Sequence, residues 1–439
     1  MSEWPRTSLG EIVDIKHGLA FKGEFFRDEP PGDILLTPGN FRIGGGFQAG
    51  KEKLYDGPVP EEYVLEEGDL LVTMTDLSRD TATLGYPALV PLSTKGRFLH
   101  NQRLGKVIVR DGVSVDKRFL YYLMCSRPYR HEVLASATGT TVKHTSPSRI
   151  LQFEFGCPPF KAQQRIARIL GTLDDKIELN RRVNRTLEAT ARAIFKSWFV
   201  DFDPVHAKAA GHEPVGMDPE TAALFPDSFQ DSPLGKIPKG WRAETLGDHV
   251  EITRGLSYKG RGLSDAGMPL HNLNSIYEGG GYKRIGIKFY EGDFKERHTT
   301  RPGDILVANT EQTFDLLLIG YPARVPACFG NEGIFSHHLY KMSLQDGSQL
   351  TEDYLYRAML HERLRREVAN YSNGTTVNML PKDALQRPLL LVPDESVLKA
   401  FDERTEVLSS LTESLEDGAP TFARTRDALL PELLSGRLT

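Results

Sequence analysis

The sequence predicts an α+β protein in duplicate. Two mixed α/β units are each followed by a long helix, and the two helices pack as an antiparallel coiled coil with pseudo-two-fold symmetry. Three observations carry that expectation. The chain repeats itself once along nearly its whole length. Each copy holds short β-rich runs punctuated by Gly and Pro. Each copy ends in a stretch whose apolar residues recur at alternating spacings of three and four.

The repeat is read by pairing residues. Trp4, Leu9, Gly10, Val13, Ile15, Gly18, Lys22 and Gly23 are answered in order by Trp241, Leu246, Gly247, Val250, Ile252, Gly255, Lys259 and Gly260. Gly44-Gly45-Gly46-Phe47 is answered by Gly279-Gly280-Gly281-Tyr282, and Gly139-Thr140-Thr141-Val142 by Gly374-Thr375-Thr376-Val377. Within each copy, β-rich runs such as Gly68–Thr73 and Gly303–Ala308 come first. A helical stretch follows, Lys117–Ala135 or Thr351–Ala369. Then come the GTTV loop, a strand-like run at Phe153–Phe155 or Pro388–Val392, and a proline exit at Pro158-Pro159 or Pro393.

The long stretches follow. In Phe160–Phe199 the predicted seam is Ile166, Ile169, Leu173, Val183, Leu187, Thr190 and Ile194, with Lys176 and Asn180 in the remaining places. A helix of that length is about 60 Å long and needs a partner along it. The second helix is expected from near Glu395, with Val397, Phe401, Leu408, Leu411 and Leu415 on its seam and Arg404 the polar exception. Gly418-Ala419-Pro420 is expected to interrupt it before Arg424–Leu434 resumes. Pro204–Gly240, with prolines at 204, 214, 219, 226, 233 and 238, reads as a connector outside both cores. The expected segments are therefore 1–157, 158–203, 204–236, 237–393 and 394–439.

Bulk properties bound the function. A chain of 439 residues exceeds one ordinary core. Apolar content of 39% and charged content of 26% are those of a soluble globular protein. The three cysteines, Cys125, Cys157 and Cys328, form no Cys-x-x-Cys pair, which fits a reducing compartment. MSEWPRTSLG lacks a signal-peptide pattern, and no apolar run is long enough to span a membrane, so a cytoplasmic location is expected. The net charge of −5 argues against a simple nucleic-acid coat protein. The first long helix nevertheless carries more Lys and Arg than Asp and Glu.

Two similar heads on a helical spacer suit the reading of two separated half-sites on a duplex. The heads share a frame and differ in polar loops. MTDLSRDTAT (74–83) stands against NTEQTFDLLL (309–318), Asn101-Gln102-Arg103 against Ser336-His337-His338, and Lys143-His144 against Asn378-Met379. Arg, Asn and Gln read base edges, and Lys, Arg and Thr hold phosphates. The candidate DNA contacts are Arg79, Asn101, Gln102, Arg103, Lys143 and His144 in the first half. In the second half they are Gln312, His337, His338, Thr375 and Asn378. Leu173, Leu187, Leu408 and Leu411 are the candidate subunit-interface residues on the helices.

The run PPFKAQQRIARILGTLDDKIELNRRVNRTLEATARAIFKSWFVDFDPV (158–205) closely resembles the first helical spacer of Type I restriction-modification specificity (S) subunits. The Trp-x4-Leu-Gly blocks, both GTTV loops and the ending RDALLPELLSGRL (426–438) also look like that family. The resemblance implies that each globular unit is a target recognition domain and that the pair reads a bipartite DNA sequence. It implies that the helices dock two adenine-methylating modification subunits, joined by two motor-nuclease restriction subunits. S-adenosylmethionine, ATP and magnesium would act on those partners, with no cofactor on this chain.

Enzyme readings fare worse. Cys157-Pro158-Pro159-Phe160 is a near miss to the loop of amino-methyltransferases, but cysteine is a poor acceptor for an amine and no glycine-rich cofactor turn precedes it. The Asp-x-Lys triplets at Asp14–Lys16, Asp174–Lys176 and Asp293–Lys295 lack a preceding Pro-Asp, as a nuclease would need. Asp201 and Asp203 read as solvated. His337-His338 lacks further metal ligands at usual spacing, and no Gly-x4-Gly-Lys-Ser/Thr loop is present. A non-catalytic chain is expected. The alternative is a coiled-coil scaffold with two protein-binding heads.

Overall fold

The structure is a computed structural model that describes residues 4–50, 52–76, 82–93, 95–140, 142–311, 315–374 and 378–438. It divides into two compact units. One is Met1–Leu179 with Ala419–Thr439, and the other is Asn180–Gly418.

In the first unit a five-stranded sheet runs in the order Phe26–Arg27, Leu54–Tyr55, Asp33–Leu36, Phe98–His100, Val64–Leu65. A four-stranded antiparallel sheet runs Val13–His17, Leu104–Val109, Leu70–Thr73, Pro87–Leu89. The central strand Leu70–Thr73 is buried on both faces, as its unbroken apolar run demands. Arg6–Ser8 pairs antiparallel with Glu154–Gly156, so the chain closes the head on itself just before the long helix leaves it.

The second unit repeats this topology strand for strand. Its five-stranded sheet is Leu263–Ser264, Lys288–Tyr290, Met268–His271, Gly333–Phe335, Thr299–Thr300. Its four-stranded sheet is Val250–Arg254, Leu339–Leu344, Ile305–Ala308, Pro322–Arg324. Arg242–Thr245 pairs with Leu389–Val392 to close the head.

Each expected helical stretch is two helices. In the first head Lys117–Cys125 is capped by Asp116, whose side chain accepts from Phe119 N at 2.9 Å. Ser126 is extended, and Arg127–Ala135 starts anew with Pro128 in its first turn, where a missing N–H costs nothing. In the second head Thr351 caps Glu352–Leu360, and the extended His361 separates it from Glu362–Ala369. The first helix of each pair buries Phe119, Leu120 and Tyr122, or Tyr354, Leu355 and Met359, against its head. A fully buried side chain of that kind contributes about 1.5–3 kcal/mol.

The first long helix is Phe160–Phe199. Its buried residues are Gln163, Ile166, Ala167, Leu170, Gly171 and Ile177 in the first unit, and Asn180, Ala191, Phe195, Trp198 and Phe199 in the second. One row of the expected seam is therefore displaced by one position. Leu170, Ile177 and Ala191 are buried where Ile169, Lys176 and Thr190 were expected, and Lys176 and Thr190 are exposed. The cause is that the helix buries itself against a head as well as against a helix. Ile166, Ala167 and Leu170 belong to the first head's core, and Phe195, Trp198 and Phe199 to the second's.

The second long helix is a single element, Glu395–Ser435, with Pro420 and Pro431 inside it. The interruption expected at Gly418-Ala419-Pro420 does not occur. Proline in a helix interior costs about 3 kcal/mol; Pro420 itself is exposed, and the helix makes contacts with the first helix before and after it. In the first unit Arg426 Nη1 donates to Asp174 Oδ1 at 2.7 Å, and Leu433 lies in one core with Ile166 and Leu170. In the second unit Asn180 Nδ2 donates to Leu415 O at 3.2 Å, and the rings of Phe195 and Phe401 lie 6.1 Å apart. In each unit, residue numbers fall on one helix as they rise on the other, so the pairing is antiparallel.

The connector also differs from expectation. It forms the helices Asp203–Ala209 and Pro219–Ala223 and the hairpin Phe229–Ser232 with Gly235–Pro238. Val205, Phe225 and Ile237 are buried in the second unit's core, among Trp198, Trp241 and Phe401. The apolar residues between the prolines, rather than the prolines, decide where this segment lies. Among the described residues no helix is long and apolar enough to cross a membrane.

Candidate nucleic-acid interface

Three polar segments of the first head hang on one short strand. Met74 N donates to Arg103 O at 2.9 Å, which ties the turn Asn101-Gln102-Arg103 to that strand. Thr145 N donates to Met74 O at 3.0 Å, and Thr75–Asp76 pairs antiparallel with Lys143–His144. The third segment is the loop after Asp76. The Asp76 carboxylate, only 3% exposed, accepts from Thr83 N at 2.6 Å, Thr83 Oγ1 at 2.9 Å and Leu84 N at 3.0 Å. A buried carboxylate that satisfies backbone N–H groups fixes where a loop returns.

The hairpin that carries Lys143 and His144 is closed by Thr138, which exchanges both backbone hydrogen bonds with His144 at 2.8 and 3.0 Å. Its tip turns at Gly139, where φ is +99° and a Cβ would sit 2.0 Å from Val142 O. Only glycine fits there. That accounts for the glycine of the first GTTV loop.

The second head builds the same arrangement from different side chains. Asn309 N donates to His338 O at 3.0 Å, and Leu380 N donates to Asn309 O at 2.8 Å. Thr310–Glu311 pairs with Asn378–Met379. The Glu311 carboxylate, 2% exposed, accepts from Leu317 N at 2.7 Å, Leu318 N at 3.0 Å and Ile319 N at 3.0 Å. Asn373 and Met379 close the hairpin with two bonds of 2.9 Å.

The structure thus brings Asn101, Gln102, Arg103, Lys143 and His144 together in one head, and His337, His338 and Asn378 in the other. Gln102, Arg103 and His144 are exposed, and Lys143, His337, His338 and Asn378 are half-buried. The Asn101 side chain turns inward to its own loop, where Oδ1 accepts from Arg103 N at 2.8 Å. The His337 and His338 rings lie 3.9 Å apart. Burial, then His337 and Arg254, hold the His338 imidazole below its ordinary value, which favours the neutral ring. Arg79, Gln312 and Thr375 lie outside the described residues. On the long helices Leu173, Leu187 and Leu408 are half-buried, and Leu411 is 45% exposed.

Sequence reasoning missed the anchors Thr75, Asp76, Thr310 and Glu311. Their signal was a Thr-acid pair at the same place in both copies, hidden inside loops read as divergent. It also passed over the segment beside the turn. Leu19 N donates to His100 O at 2.9 Å, Gln102 N donates to Leu19 O at 2.9 Å, and His337 N donates to Leu256 O at 2.9 Å. The close approach explains two paired glycines. A Cβ on Gly18 would meet Asn101 O at 2.2 Å, and one on Gly255 would meet Ser336 O at the same distance. Exposed His17 and Lys22, and Arg254 and Lys259, flank these glycines.

Among the described residues no group of His, Cys, Asp and Glu could hold a metal ion. Fold and site together define a protein of two like units in which one polar-loop scaffold is repeated with altered side chains.

Comparison with known proteins places it more closely. Residues 1–189 match the Type I restriction modification DNA specificity domain. The chain is 24% identical to the Type I restriction enzyme HindI specificity subunit of Haemophilus influenzae, covering 100% of both. It is also 24% identical to the MjaIX specificity subunit of Methanocaldococcus jannaschii, covering 85% of this chain and 78% of that one. The fold is similar to the crystal structure of the Type I system S subunit from M. genitalium, with a TM-score of 0.58, 14% identity, and coverage of 98% of this chain and 96% of that one. Residues 1–189 thus match a Type I specificity domain, and the chain is similar along most of its length to Type I restriction enzyme specificity subunits.

Proposed function

We propose that this chain is the DNA-recognition subunit of a Type I restriction-modification complex. It reads a bipartite target, one half with residues 1–157 and the other with residues 237–393. The spacers 158–203 and 394–439 set the gap and dock two modification subunits, which restriction subunits join, and 204–236 connects the halves. Methyl transfer from S-adenosylmethionine and ATP- and magnesium-dependent cleavage belong to the partners, and the assembly works in the cytoplasm. The observation that carries this reading is the repeated three-segment scaffold, with its frame kept and its exposed side chains changed.

The chemistry at each tip suits the task. Arg103 and Gln102 are base-edge readers or phosphate ligands by type, and Lys143 is a phosphate ligand. The acidic net charge of −5 is compatible with phosphate neutralisation supplied largely by the modification subunits. Co-expression with the neighbouring modification subunit in a methylation-free host, followed by mapping of methyladenine, tests the proposal. A split motif with a fixed gap is expected. An assembled, soluble complex that leaves no methylation overturns it in favour of a protein-binding scaffold.

A further inference from the structure

Thr75 and Thr310 occupy the same place in the two heads, and both are buried, at 7% and 4% exposure. Thr75 Oγ1 lies 3.2 Å from Nδ1 of His144, and Thr310 Oγ1 lies 2.9 Å from Nδ1 of His338. The two histidines come from different segments. His144 sits on the GTTV hairpin, and His338 on the turn that enters Leu339–Leu344. The residue matching His144 in the second head is Met379, and the residue matching His338 in the first is Arg103. The same hydroxyl therefore engages whichever histidine its head offers.

A buried hydroxyl directs its proton to an acceptor. Among the described residues neither threonine hydroxyl has another partner, so the proton goes to Nδ1. A neutral imidazole that accepts at Nδ1 carries its own proton on Nε2. Among the described residues no group hydrogen-bonds Nε2 of either ring. His144 is exposed and His338 half-exposed, so each ring keeps one donor for a ligand.

Resting on the DNA-reading proposal above, we infer that Thr75 and Thr310 are positioning residues that hold His144 and His338 with the proton on Nε2, for donation to an acceptor on a base edge. The acceptors of that class are N7 or O6 of guanine, N7 of adenine and O4 of thymine. The two half-sites are then read from different segments of the same scaffold. The hairpin supplies the histidine donor in one, and the turn supplies it in the other.

The test is selection of bound sequences from randomised duplexes by the chain assembled with its modification subunit. Thr75→Val should lower discrimination about tenfold at one base position of one half-motif, with every other position kept. Thr310→Val should do the same in the other half. Thr75→Ser and Thr310→Ser keep the hydroxyl and should restore discrimination, which a purely structural role for the methyl group would not predict. If a valine variant fails to fold by thermal melting, His144→Phe or His338→Phe replaces it and should relax one position of the same half-motif. Folded variants that select the parent motif unchanged, or that bind every sequence more weakly alike, overturn the inference while DNA reading stands. A parent complex that selects no sequence overturns both.

Discussion

The two heads are the same construction ending in different chemistry. In the first, the strand Thr75–Asp76 carries a hairpin with Lys143 and His144, and a turn with Gln102 and Arg103. In the second, Thr310–Glu311 carries Asn378 and Met379, and a turn with His337 and His338. What holds the loops is kept: a threonine, a buried carboxylate, a glycine at each close approach. What the loops present is changed. A recognition scaffold can vary its tips freely only if nothing in the tips is needed to hold the scaffold.

The same contrast appears where each head meets the long helices. In the first unit the Tyr122 hydroxyl donates to Asp174 Oδ2 at 2.6 Å, and Arg118 pairs with Asp175. In the second unit, at matching places, Arg357 Nη2 donates to Ser409 Oγ at 3.2 Å, while Asp353 pairs with Arg324 at 2.8 Å. The joint survives a change of donor and acceptor because either combination gives the head a hydrogen bond to the long helix. Inside the sheets, His100 lies opposite Leu36 in one head, and His271 lies opposite Phe335 in the other. One buried histidine per strand pair is retained, on opposite strands.

The helices offer the sharpest way to break the comparison. Leu170 is fully buried in the first head's core, whereas Leu411 is 45% exposed. Leu170→Glu should destabilise the chain by about 4 kcal/mol or more, because it buries an unpaired charge. Leu411→Glu should change the chain's own stability by less than about 0.5 kcal/mol and should weaken assembly with the modification subunit. Urea unfolding and size-exclusion of the mixture check both. Equal effects on stability would show that the helix faces are misassigned.

The carboxylate anchors come next. Glu311→Ala leaves the N–H groups of Leu317, Leu318 and Ile319 without their acceptor and should cost about 3 kcal/mol. Its effect on recognition should fall on one half-motif, and that of Asp76→Ala on the other. A loss below about 1 kcal/mol in urea unfolding would mean that the loops do not depend on these carboxylates.

The smallest effects are pH slopes of opposite sign. Burial pulls His100 and His271 down to about 4, so their stabilising contribution is full above their ordinary value of 6.5 and is lost as pH falls towards 4. Stability measured from pH 6.5 down to 4 should fall less steeply in His100→Phe than in the parent, by about 1–2 kcal/mol. Burial, with Asp353 adding to it, pushes the Asp402 carboxyl up to about 6, although its hydrogen bond from Thr351 opposes this. The folded state therefore holds that proton more tightly, and stability declines as pH rises from about 4 to about 6. Asp402→Asn should remove that slope and stabilise the protein above pH 6 by about 1 kcal/mol, allowing for a carboxylate half open to solvent. A parallel pair of curves would refute the assignment.

Much of this was legible because duplication turns one sequence into two readings of one fold. Gly18 with Gly255 mark backbone contacts that a side chain would break, Gly139 with Gly374 mark positive-φ positions, and both stood out as matched pairs. The helix ends at Phe160 and Glu395 followed from their proline exits. The burial phase of the first long helix was not legible, since Leu170 and Phe195 answer to head cores that periodicity along one helix does not see. Pro420 was misleading because local propensity says nothing of packing from a partner helix. The connector misled for a related reason: its prolines are visible, while the burial of Val205 and Phe225 in one core with Phe401 depends on a helix far along the chain. Thr75 and Asp76 were overlooked because the Thr-acid pair they share with Thr310 and Glu311 lay inside loops read as divergent, and their hydrogen-bond partners are set only by the fold.

The central claim is that each head reads its half of the target on its own. The direct test replaces residues 237–393 with the matching segment of another family member and maps methyladenine in a methylation-free host carrying the modification subunit. The account predicts that one half-motif changes while the other half and the gap stay as they were. A change in both halves, or in neither, would contradict it.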